Sequence, residues 1–98
     1  MAREATPLWE AVRSLWEAGR YFEAHEVLEG AWREAQGEEK RFLQGLILLA
    51  AALHQGKLGR GGMRNLKKAE GKLLGLPSPF LGLDWRPLWQ EARRRLGA

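Results

Sequence analysis

The chain contains no cysteine among its 98 residues. That excludes disulfides, thiolate catalysis and cysteine-ligated zinc or iron–sulfur centres together, so any metal would have to be held by histidine and carboxylate. Histidine is also scarce, with His25 and His54 the only two. Serine is limited to Ser14 and Ser78, and neither has the glycine-flanked elbow or sequence-adjacent histidine of a nucleophile. The N-terminus MAREATPLWE lacks the basic region and apolar core of a signal peptide. The longest mostly apolar run, FLQGLILLAAAL, is too short to cross a bilayer and is broken by Gln44 and Gly45. A cytoplasmic protein without a membrane partner is expected. Low Asn, Ser and Thr beside abundant Arg and Glu suits a thermophile or a GC-rich genome.

A chain of this length supports one core, and one domain spanning residues 1–98 is expected. Its charge is uneven. Residues 1–39 hold four Arg against nine Glu, a net −5, while residues 40–98 hold twelve Lys or Arg against three acids, a net +9. The halves could meet as surface ion pairs, or the basic half could face an anionic partner.

Thr6 followed by Pro7 signals a helix start, and the first helix then runs to about Ala18 before Gly19. A second covers about Arg20 to Gln36, and a third about Glu38 to Gln55, apolar on every side and therefore central. The glycine-rich GKLGRGG is a turn, and Met63, Leu66, Ala69, Leu73 and Leu74 mark a fourth helix ending at Gly75. After the loop LPSPFLGLD, a last helix spans roughly Pro87 to Leu96. The spacing predicts an all-α, up-and-down bundle of four to five helices. Trp16 and Trp32 read as core. Trp9, Trp85 and Trp89 read as covers of the bundle or as a subunit contact, with helix 1 and the last helix leaving an apolar patch that would suit a homodimer.

The segment FEAHEVLEGAW concentrates the chemistry. On a helical wheel His25 and Glu29 fall inside the apolar face, Glu26 sits at its rim and Glu23 points away. A buried carboxylate needs a partner, and an antiparallel third helix would bring Gln44 level with Glu29 or the Trp32 indole, and His54 towards His25 or Tyr21. His25, Glu26, Glu29, Gln44 and His54 are therefore the candidate site, as a polar cluster in the core of a binding or interaction module. The i, i+4 pair of His25 and Glu29 with His54 could instead form a two-histidine, one-carboxylate divalent-metal site, Glu26 standing near the general-base position of an HExxH pattern in which the second histidine is replaced by glutamate. A metal-free acid/base enzyme using Glu29 with His25 is the other catalytic alternative.

Separately, Lys57, Arg60, Arg64, Lys67, Lys68 and Lys72 form a basic stripe that begins in the glycine-rich turn, a candidate surface for RNA, DNA or a phosphate ligand. No aromatic residue is interleaved in that stripe for base stacking, which makes a solvated face the plainer reading.

YFEAHEVLEGAW followed by FLQGLILLAAALHQGKLGRGGMRNLKKAEGKL resembles a small all-helical family, domain-of-unknown-function family 309, over about Tyr21 to Leu74. The resemblance implies a helical bundle with its motif on Glu23, His25, Glu26, Glu29, Trp32, Gln44 and His54. It implies no reaction. Gly61-Gly62 stands where Gly-Ala is expected, a departure that weakens the start of the fourth helix. A fainter likeness to a tetratricopeptide hairpin, in Gly19, Tyr21, Ala24, Leu28 and Ala31, reflects shared helical packing, because a second copy starts off the usual repeat period of about 34 residues.

Overall fold

The computed structural model describes residues 5–97, with side chains described for residues 7–97. Five helices follow one another: α1 (Ala5–Glu17), α2 (Tyr21–Glu34), α3 (Gly37–Lys57), α4 (Met63–Leu73) and α5 (Arg86–Leu96). The Thr6–Pro7 backbone is helical, and the capping role read for the Thr6 side chain lies outside the described side chains.

The central helix is α3, packed on α2 along one side and α4 along another, with α1 beyond α2 and α5 against α3 and α4. Its neighbours run antiparallel to it. Phe22 at the start of α2 meets His54 near the end of α3, while Lys40 at the start of α3 covers the Trp32 ring near the end of α2. On the other side Asn65 donates to the Gln55 side chain at 2.9 Å beside the turn, and Arg41 donates to the Gly71 carbonyl at 3.0 Å at the far end.

Phe42, Leu43, Leu46, Leu49, Ala50, Ala52 and Leu53 of α3 are buried, together with Val12, Trp16, Leu28, Leu66 and Leu73 from three other helices. Among the described residues the core holds no buried polar or charged residue. The polar cluster expected inside the bundle is therefore not there: of the residues expected to form it, His25, Glu29, Gln44 and His54 are half-buried and Glu26 is exposed.

The tryptophans divide differently from the expectation too. Trp9 and Trp85 are buried with Trp16, whereas Trp32 is only half-buried. Trp85 enters the core because the loop before α5 folds back: its indole donates to the Pro77 carbonyl at 2.8 Å, and the Trp9 indole donates to the Leu81 carbonyl at 2.7 Å. Phe80 closes this layer edge-on against Phe42, ring centroids 5.0 Å apart. Among the described residues the large apolar side chains left exposed are Phe22, Val27, Leu58, Met63, Leu74 and Leu81. None belongs to α1 or α5, whose Leu8, Leu15, Leu88, Trp89 and Leu96 are partly buried against the core.

Two glycines fix the spacing around α3. A Cβ at Gly45 would lie 2.7 Å from both Cγ and Cδ2 of Leu73, so α3 and α4 reach this separation only without a side chain there. Gly62 has a φ of +112°, and its Cβ would come 2.5 Å from the Ala52 carbonyl oxygen. The Gly61-Gly62 pair thus lets the turn lie directly on the α3 backbone, and α4 begins at the next residue.

Gly45→Ala should destabilise the protein by about 1–3 kcal/mol through overpacking. Gly30→Ala, where a Cβ meets nothing within 4 Å in the middle of α2, should instead stabilise by about 0.5–1 kcal/mol. Denaturant unfolding of both variants checks the contrast.

Candidate functional site

The wheel of α2 is broad, and its edge decides the site. Tyr21, Ala24 and Leu28 are buried, which turns the opposite flank of the helix outwards. His25 remains half-buried and Glu26 exposed. Glu29, expected inside the apolar face, is 41% exposed and lies 3.8 Å from Arg33 one turn on. An exposed pair of this kind contributes at most about 1 kcal/mol, and it removes the need for a partner from α3. Glu23 pairs with Arg20 at the helix start.

Gln44 is half-buried on α3 and does not orient Glu29. Nor does it meet the Trp32 indole, whose Nε1 is buried without a hydrogen-bond partner, as is Nδ1 of His25. His54 does arrive beside α2. Phe22 stacks nearly parallel on His25, interplanar angle 9° and centroids 6.2 Å apart, and leans on His54 at 5.4 Å. The two imidazoles thus share one ring neighbour and, with Ala51 and Gln55, line a shallow pocket of about 180 Å³.

Of the five candidate residues the structure brings His25 and His54 to one place and leaves Glu26, Glu29 and Gln44 outside it. The metal reading requires His25, Glu29 and His54 to converge, and among the described residues no three histidine or acidic side chains form a group able to hold a metal ion. Acid/base use of Glu29 with His25 loses its setting as well, because a half-exposed, ion-paired carboxylate is not desolvated.

Phe22 is the residue that sequence reasoning missed. It is 50% exposed and presents an aromatic ring to solvent between two imidazoles. The signal was its position on the wheel, alone on the far side of His25 from the apolar arc.

The basic stripe also separates. Lys57 donates to the Gly19 carbonyl at 2.8 Å and so secures the α1–α2 turn. Arg60, Arg64, Lys67 and Lys68 are exposed, on the turn and on the outer face of α4 opposite Leu66, Ala69 and Leu73. The turn joins this basic segment to the ring pocket. The Arg60 amide donates to the Gln55 carbonyl at 2.8 Å, and Asn65, next to Arg64, holds the Gln55 side chain. Ser78 is occupied structurally, bonded to the Asp84 carboxylate and accepting from the Arg86 amide.

Tyr21, the alternative neighbour foreseen for His54, packs edge-on against Trp16 with centroids 5.7 Å apart. Burial pushes its hydroxyl above the ordinary tyrosine value, with Arg95 opposing and Glu91 adding to the rise. Among the described residues no helix is long and apolar enough to cross a membrane.

A family model described as "Domain of unknown function (DUF309)" matches residues 8–68. The crystal structure of a conserved hypothetical protein from Thermus thermophilus is similar to this one, with 70% sequence identity, a TM-score of 0.89 and coverage of 92% of this chain and 96% of that one. An uncharacterized protein of Aquifex aeolicus (strain VF5) is 37% identical over 87 residues, which make up 86% of this chain but only 26% of the relative.

Tyr21 is the single tyrosine, so its ionisation can be followed directly by tyrosinate absorbance. Its native midpoint should lie above about 10. Between the unfolded and native values the unfolded chain has already released the proton that the native state keeps. Stability conferred by this group is thus complete below the unfolded value and falls as pH rises through the window. Tyr21→Phe should flatten that alkaline decline. A midpoint at or below the ordinary value would contradict the burial argument.

Proposed function

Because this chain belongs to the domain-of-unknown-function family 309, for which no reaction is assigned, we propose from its surface that it is a binding module for single-stranded nucleic acid. The observation that carries this reading is Phe22, exposed between His25 and His54 and joined through Gln55 to the turn bearing Arg60 and Arg64. Single strands are bound by aromatic faces on which bases stack and by cations that follow the phosphates. The basic stripe lacks the first of these in sequence, and Phe22 of α2, which shares a pocket with Gln55, is the aromatic face that supports the reading.

Charge supports the same partner. The net +9 of residues 40–98 includes Arg60, Arg64, Lys67 and Lys68, all exposed around the end of α3 and along α4. The Aquifex relative, in which the matched segment is one part of a longer chain, suits a module that delivers binding to other domains. The enzyme alternatives drawn from His25, Glu29 and His54 have no comparable support, since their carboxylate stands apart from the two imidazoles.

Fluorescence anisotropy with a labelled single-stranded RNA tests the proposal. Affinity should fall steeply with salt, and Phe22→Ala should weaken binding by about tenfold, the scale of one missing base stack. The triple substitution of Arg60, Arg64 and Lys68 by alanine should reduce the salt slope by about 0.7 for each phosphate no longer neutralised. RNA binding that is absent at low salt, or insensitive to Phe22→Ala, would overturn the reading.

A further inference from the structure

The last two turns of α3 carry two unlike faces. Ala51, His54 and Gln55 face the ring pocket, whereas Leu53, Gly56 and Lys57 line a larger cavity of about 390 Å³ that Glu17, Gly19, Tyr21, Arg95 and Leu96 complete. Its walls are the α1–α2 turn and the C-terminal ends of α3 and α5. Gly56 makes room for this junction, since a Cβ there would stand 2.6 Å from Cδ2 of Leu96.

We propose that this cavity binds a small anion carrying a carboxylate or phosphate group, held by Lys57, Arg95 and Tyr21. The volume falls in the range of about 300–1,000 Å³ usual for small-molecule sites. The lining is rich in unused donors. Lys57 spends one N–H on the Gly19 carbonyl and keeps two, and Arg95 spends Nε on Glu91 at 2.8 Å and keeps its Nη groups. The Tyr21 side chain is a further donor in this wall, only 5% exposed as a residue and held in place by its packing on Trp16.

The Tyr21 hydroxyl has Arg95 as a charged neighbour in the same lining and can donate to a ligand's acceptor. Carboxylate and phosphate oxygens supply acceptors and the charge that Lys57 and Arg95 attract. Glu17, exposed in the same lining, and the carbonyl ends of α3 and α5 lower the positive potential that Lys57 and Arg95 supply and so favour a ligand with one anionic group over a polyanion. The site is independent of the nucleic-acid face, which lies on the other side of α3.

The test is an amide chemical-shift titration of the labelled protein with sodium phosphate and, separately, with sodium acetate at constant ionic strength. Saturable shifts confined to Gly19, Tyr21, Gly56, Lys57 and Arg95 are expected with at least one of them, and the arm that saturates identifies the headgroup. Tyr21→Phe, which keeps the ring packing, should weaken that binding by about three- to tenfold, the scale of one hydrogen bond. Arg95→Gln, at an exposed position, should weaken it by more than about tenfold. No saturable shift with either salt, or unaltered affinity in both variants, overturns the proposal.

Discussion

The enclosure of α3 between α2 and α4 without any buried polar residue among those described is the constraint on which the rest of the molecule depends. Burying an unpaired carboxylate or imidazole there would cost several kcal/mol. With an apolar core the helices can approach closely, as Gly45 against Leu73 shows, and His25, Glu26, Glu29, Gln44 and His54 are left half-buried or exposed. Function is therefore to be sought where helix ends and turns meet the surface. The face proposed for nucleic acid and the cavity proposed for an anion both lie at such places, on opposite flanks of the last two turns of α3.

The helices were legible because each has a clear apolar stripe or a clear stop. Gly19 with a φ of +75° ends the first hairpin turn, and Leu66, Ala69 and Leu73 define the inner face of α4. Observed ends differ from the sequence reading by one or two residues, as expected where helix boundaries depend on local capping. Trp85 was not legible as core. It stands at the start of a short helix in a proline-rich segment, and only the return of that segment over Phe42 and Trp9 buries it.

The candidate site was legible in part. That His25 and His54 belong near one another followed from the antiparallel register about Gly37. Glu29 was misplaced because a wheel shows direction but not coverage: the flank of α2 between His25 and Trp32 is left partly open, and Arg33 is available one turn away. The role of Lys57 was hidden for a similar reason. Its position within a basic stripe suggested a solvated cation, but its amine reaches across to the Gly19 carbonyl 38 residues earlier. The importance of Phe22 depends on what leaves it exposed, which only the packing reveals.

The most direct test of a surface-borne function is photocrosslinking of a single-stranded RNA containing 4-thiouridine, followed by mass-spectrometric mapping. Cross-links should fall on Phe22 and on peptides carrying His25, His54, Arg60 and Arg64. Cross-links confined to the arginines of α5, or distributed without preference over every basic segment, would contradict the account.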